Sequence, residues 1–214
     1  MCKKVVCFDL DDTLYKEIDF VESGFRLIAE SEKRPELLLK MMGWREQGED
    51  VFFNLNKCIG KETSKSEYLK MYRFHKPKIT LSVGVEDMLD ELKFRNVILG
   101  IITDGRSETQ RNKVKALGLE KWFQGEDIVI SEEFGSEKTD ERNFRYFNSR
   151  YPDSRYIYVG DNPNKDFLVP NRLGWETIML KDDGRNIHKQ GAVPMEYLPQ
   201  ITINEFDEIL DIIR

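Results

Sequence analysis

Residues 4–14 read Lys-Val-Val-Cys-Phe-Asp-Leu-Asp-Asp-Thr-Leu, a short apolar run that ends in three carboxylates, Asp9, Asp11 and Asp12. Residues 5–10 suit a buried strand, yet a protein interior accepts no such acids without a compensating charge. In extended backbone alternate side chains share a face, so Asp9 and Asp11 are expected to project together from the strand's C-terminal end. Two carboxylates about 4 Å apart repel by roughly 4 kcal/mol at an effective dielectric of ~20. A metal ion or a shared proton relieves that repulsion, and either one suggests chemistry. The plainer alternative is that Asp11, Asp12 and Thr13 open a turn, where Asp is common.

Three later segments bear on the choice. Gly160-Asp161-Asn162-Pro163-Asn164-Lys165-Asp166 follows another apolar run, and it is expected to set Asp161 on the same edge as Asp9 and Asp11, with Asp166 about a turn beyond. Several carboxylates on one rim make an oxygen-ligand site suited to Mg2+, a hard cation that keeps some of its waters. Thr103 closes the run at 97–102 with a hydroxyl, and Asp104 and Gly105 follow it. Such a turn can aim backbone N–H groups at an anion, although Thr-Asp-Gly is also an ordinary turn sequence. Lys138 is read as opening a helix after a polar loop; a lysine in isolation is usually a solvated surface group.

The elements that must position these residues alternate along the chain. Strands are expected at 5–10, 97–102, 127–130, 155–159 and 175–180, with helices at Val85–Phe94, 107–117 (Gly118 as its C-cap) and 138–150. That alternation implies a parallel sheet with right-handed crossovers, and such sheets bind ligands beyond the carboxyl ends of their strands. Residues 16–80 break the pattern and read as helical throughout. Val21, Phe25, Ile28 and Ala29 recur at helix spacing, Pro35 can open a second helix with Leu38 and Met41 or Met42 inward, and Ser64-x-x-Glu67 has the form of a capping box. The expected fold is therefore α/β: a Rossmann-like core from 1–15 and 81–214, with an inserted α-helical cap domain at 16–80 lying over the sheet's C-terminal edge.

Bulk properties narrow the function. The 214 residues carry a net charge of −6, which argues against binding nucleic acid through its backbone. No apolar run approaches the ~18–20 residues of a membrane span, and the N-terminus lacks a signal-peptide pattern. Cys2, Cys7 and Cys58 have no metal-binding spacing and read as reduced thiols of a cytoplasmic protein. Within this acidic chain Lys57, Lys61, Lys65, Lys70, Arg73, Lys76 and Lys78 are opposed only by Glu62 and Glu67. Either part of that cluster faces the cleft and draws in anionic substrates, or it is a solvated helix face.

Taken in order, Asp9-Leu10-Asp11-Asp12-Thr13-Leu14, Thr103, Lys138 and Gly160-Asp161 with Asp166 resemble the haloacid dehalogenase superfamily of aspartate-nucleophile hydrolases, over nearly the whole chain. The first and last of these motifs are specific, and the middle two persuade by position. The resemblance implies that Asp9 attacks phosphorus and forms an aspartyl-phosphate, while Asp11 is the general acid and then the base. It places Mg2+ on Asp9, on the backbone carbonyl of Asp11 and on Asp161. Asp166 would bind the metal, directly or through water, or orient Lys138. Thr103, the Asp104 backbone and Lys138 would hold the phosphoryl oxygens. The dehalogenases of the superfamily keep no carboxylate two residues after the nucleophile, because halide leaves without a proton. Asp11 thus points to phosphate esters. Thr139 stands where relatives commonly have proline, and Val169-Pro170 where they often have a small pair. The implied activity is a Mg2+-dependent phosphatase for a small phosphorylated metabolite, such as a sugar phosphate or nucleotide. A phosphomutase and a non-catalytic phosphoacceptor are the alternatives.

Overall fold

A computed structural model describes residues 3–60 and 65–213. Ten helices and six strands form within those residues, in the order β1 (Lys4–Phe8), α1 (Glu17–Ser31), α2 (Glu36–Glu46), α3 (Val51–Ile59), α4 (Lys65–Phe74), α5 (Val85–Phe94), β2 (Ile98–Thr103), α6 (Ser107–Ala116), β3 (Ile128–Ile130), α7 (Ser131–Phe134), α8 (Arg142–Arg150), β4 (Arg155–Gly160), α9 (Leu168–Arg172), β5 (Glu176–Leu180), β6 (Ile201–Ile203) and α10 (Asp207–Ile212). The strands make one parallel sheet in the order β3-β2-β1-β4-β5-β6. A parallel sheet covered on both faces needs strands that are apolar on both sides, and β1 satisfies this from Val5 to Phe8. Val6 and Phe8 pack under α5, α6 and α10, against Met88, Leu89, Leu92, Val114 and Ile209. Val5 and Cys7 face the other way, onto Phe144 and Phe147 of α8 and onto Trp175. Helices α1–α4 bury a separate apolar cluster that includes Phe25, Ile28, Leu37, Met41, Leu55 and Tyr68.

Several boundaries differ from the sequence reading. β1 stops at Phe8, and Asp11 forms an isolated bridge with Tyr15 while Asp12 takes a left-handed φ of 56°. Asp9 and Asp11 therefore meet because the chain turns, and strand alternation does not bring them together. The helix expected from residue 138 begins at Arg142. Lys138 lies in the loop before it, where its backbone N–H donates to Asp104 Oδ1 at 3.0 Å. In α2 the inward residues are Leu37 and Met41, with Leu38 only half-buried. β6 went unrecognised because three residues carry too little periodicity to read. Ser64, and with it the capping box, lies outside the described residues. No helix among the described residues is long and apolar enough to cross a membrane.

Gly100 is set by close packing. A Cβ there would lie 2.5 Å from the Phe147 ring and 2.8 Å from Cys7 Sγ. Gly100→Ala should cost about 1–3 kcal/mol, the usual range for overpacking a core. Urea denaturation should show a lower midpoint with an unaltered slope; an unchanged midpoint would mean that α8 yields without cost.

Candidate active site

The C-terminal ends of β1, β2 and β4, the three central strands, deliver Asp9, Thr103 and Asp161 to one cavity of about 120 Å3, which Lys138, Asp166 and Asp11 also line. Larger grooves elsewhere, of about 480 and 630 Å3, bring together no comparable set of groups. One oxygen each from Asp9, Asp161 and Asp166 lie within 4.8 Å of one another, and all three side chains are buried. Lys138 Nζ reaches Asp9 Oδ1 at 2.5 Å and Asp166 Oδ1 at 2.9 Å.

Asp166 organises its surroundings. Its Oδ1 accepts from Lys138 and from the Tyr158 hydroxyl, and its Oδ2 accepts from the backbone N–H groups of Asp161 (3.1 Å) and Asn162 (2.8 Å). Gly160 makes room for it, since a Cβ would stand 2.5 Å from Asp166 Oδ2. The glycine serves close approach. The third acid of the opening motif, Asp12, accepts from the N–H of Glu17 (2.9 Å) and of Ile187 (2.7 Å), so it joins the start of α1 to the segment after β5.

Asp11 is held by three donors. Lys113 Nζ at 2.6 Å and the Tyr15 hydroxyl donate to Oδ1, and Gln110 Nε2 donates to Oδ2 at 2.8 Å. The same Gln110 nitrogen lies 2.7 Å from Thr103 Oγ1. Sequence reasoning did not single out Gln110 or Lys113. The available signal was their spacing: with Val114 and Leu117 they fall on one helical stripe, and all four are buried. Asn186 was also missed; its Nδ2 donates to Asp161 Oδ2 at 2.9 Å, and its Oδ1 accepts from Lys16 at 2.9 Å. Glu17, Lys165 and His188 complete the rim of the cavity. Of the basic cluster between 57 and 78, no described residue lines it, which favours the solvated-face alternative for the described ones.

The charges are unbalanced. Burial, ahead of repulsion from Asp166, Asp9 and Asp12, pushes the Asp161 carboxyl up to about 9. Burial likewise raises Asp9 to about 7, with Lys138 opposing the shift. Burial also works against the Lys138 ammonium, but Asp166 and Asp9 overcome it and hold that group well above the ordinary lysine range. Asp11 runs the other way: the charge and hydrogen bond of Lys113, helped by Tyr15 and Gln110, outweigh burial and keep it below the usual value. One ammonium faces three acids, and the donor set is entirely carboxylate oxygen. A hard divalent cation fits that deficit.

A family model described as haloacid dehalogenase-like hydrolase matches residues 6–180. The chain belongs to that family, and it is an enzyme of its phosphoric monoester hydrolase kind. Among relatives, a protein of Methanocaldococcus jannaschii named glyceraldehyde 3-phosphate phosphatase is 30% identical, over 99% of this chain and 97% of its own length. The HAD-hydrolase YfnB of Bacillus subtilis, solved bound to magnesium, superposes with a TM-score of 0.72 at 23% identity over the whole of both chains. A 2-haloacid dehalogenase of Pseudomonas syringae pv. Tomato DC3000 superposes with a TM-score of 0.67 at 22% identity, over 99% of this chain and 98% of that one. Both likenesses show the fold.

The raised pKa values of Asp9 and Asp161 carry a sign. Without a divalent ion the folded state binds protons more tightly than the unfolded chain, so stability should fall as pH rises from about 4 to about 9. An ion that displaces those protons should therefore stabilise more at high pH. Melting temperatures with Mg2+ and with EDTA should separate more at pH 8 than at pH 5; equal separations would argue against the ion binding at these carboxylates.

Proposed function

We propose that the protein is a Mg2+-dependent phosphatase that hydrolyses a small phosphate monoester through an aspartyl-phosphate on Asp9. The observation that carries this reading is the convergence of Asp9, Asp161, Asp166 and Lys138 in one buried cavity, with the Asp11 carboxylate on its rim. Asp9 attacks phosphorus as the ester oxygen departs, and Asp11 gives that oxygen its proton. Asp11 then takes a proton from the water that attacks the aspartyl-phosphate, which frees phosphate and restores Asp9. Lys138 and the Thr103 hydroxyl, together with the Asp104 backbone, hold the phosphoryl oxygens. Asp9, Asp161 and the backbone carbonyl of Asp11 would hold the Mg2+, which supplies charge neutralisation for the phosphoryl group. Donors already occupy both oxygens of Asp166, so it acts by fixing Lys138 and the 161–162 turn.

Since a dehalogenase shares this fold, the fold does not choose the reaction. Asp11 does, because an alkoxide needs a proton and a halide does not. The cavity of about 120 Å3 is room for about four waters, enough for a phosphoryl group and little more beneath α1. Residues 16–80 form the cap domain in this reading and 1–15 with 81–214 the core; Glu17 of α1 lines the cavity. A three-carbon phosphate suits the space, and the relative's name makes glyceraldehyde 3-phosphate the first substrate to try. A cytoplasmic setting belongs to the same proposal, and the free thiols of Cys7 and Cys58 support it.

A panel of phosphorylated metabolites, assayed for phosphate release with Mg2+ and with EDTA, tests the reading. Release that requires Mg2+ is expected; isomerised sugar phosphate without free phosphate would indicate a mutase, and a stable phosphoprotein without turnover a phosphoacceptor. Asp9→Asn should abolish turnover while the protein stays folded by circular dichroism. Asp11→Asn should lower kcat/KM on an alkyl phosphate by about 10²–10⁴, the range for a lost acid or base. Full activity in Asp9→Asn would remove the assigned nucleophile.

A further inference from the structure

The proposed chemistry leaves Lys113 without a task, although its side chain is 4% exposed and forms an ion pair at 2.6 Å with Asp11. Its ammonium lies 4.5 Å from the centre of the Phe20 ring on α1 and 5.9 Å from that of Tyr15. Withdrawing an ammonium from water is costly, and a salt bridge does not by itself repay the cost. What the arrangement does provide is geometry. A carboxylate offers four acceptor positions, two on each oxygen. Lys113 and Tyr15 take both on Asp11 Oδ1, and Gln110 takes one on Oδ2. One lone pair remains, on Oδ2. The amide nitrogen that shares this oxygen also contacts Thr103 Oγ1, so the free position is tied to a group placed at the phosphoryl oxygens.

We propose that Lys113 is a positioning residue for proton transfer: with Tyr15 it occupies Oδ1 of Asp11, so that Oδ2 is the atom that exchanges the proton with the leaving oxygen. This rests on Asp11 being the acid and base. In the first half-reaction the Asp9–phosphorus bond forms, the phosphorus–ester oxygen bond breaks, and the Oδ2 proton passes to the departing oxygen. In the second, Oδ2 takes a proton from water as the water oxygen–phosphorus bond forms and the Asp9–phosphorus bond breaks. The helix that bears Lys113 is fixed from two sides, by the sheet beneath and by α4, where Thr109 Oγ1 donates to the Arg73 carbonyl at 3.1 Å.

Leaving-group dependence tests this. 4-Nitrophenolate departs without a proton, whereas an alkoxide requires one, and kcat/KM reports the steps through formation of the aspartyl-phosphate. Lys113→Met should lower kcat/KM about 100-fold on glyceraldehyde 3-phosphate, or on the fastest alkyl phosphate of the panel in its place, as expected for a displaced reacting group. On 4-nitrophenyl phosphate the loss should be under about 3-fold, since no acid is needed there. Lys113→Arg should recover most of the alkyl activity. Tyr15→Phe, a near-isosteric change, should show the same selectivity at about 10-fold and keeps the test open if Lys113→Met does not fold. In an Asp11→Asn background Lys113→Met should add almost nothing. Equal losses on both substrates, or losses that multiply with Asp11→Asn, would overturn the proposal. If Asp11→Asn slows the alkyl substrate and neither Lys113→Met nor Tyr15→Phe does, this inference fails alone; if Asp11→Asn has no effect, the acid–base reading fails with it.

Discussion

Three buried acids and one buried ammonium line one small cavity, and the surrounding structure follows from keeping them apart and together at once. Lys138 bridges Asp9 and Asp166, but among the described residues Asp161 forms no ion pair, and its side chain accepts from the amide of Asn186. Burial, with repulsion among the acids added to it, raises Asp161 and Asp9, and the uncompensated charge is what a divalent ion would fit. A fully neutralised cluster would be more stable and would have nothing left to bind. The central strands offset this placement through their apolar residues, most of which are buried on the two covered faces.

Asp11 stands apart from that cluster electrically although it lines the same cavity. Lys113 holds its carboxyl low while the other acids rise. Neighbouring acids whose environments push them in opposite directions can take different roles in one reaction. Asp9 and Asp11, the proposed nucleophile and proton carrier, are two positions apart in sequence, and the difference in their surroundings comes from α6 and the loop that bears Lys138, both far along the chain from them.

Much of this was legible before any coordinates. Asp9, Thr103 and Asp161 sit directly after apolar runs, and a parallel sheet gathers the ends of its strands, so strand recognition alone placed them on one edge. Lys138 and Asp166 followed by order along the chain. Gln110 and Lys113 were hidden because a polar side chain on a helix counts as surface until something shows that its stripe faces inward. Asn186 was hidden for a different reason: it lies in an irregular segment after β5, where no period marks which side chains turn in. The basic run at 57–78 left two readings open because composition records how many charges a segment has and says nothing about where they point.

The closeness of Gly160 to Asp166 has a consequence for how such a site can vary. The acid leans on a spot that any side chain would fill, and the same acid orients both the ammonium and the turn that carries Asp161. Positions 160 and 166 are thus not independent letters. A methyl group added at the first displaces the second, and with it the Lys138 that pairs with Asp9, so a hydrogen atom at the end of one strand carries as much of the site's architecture as a charged residue does.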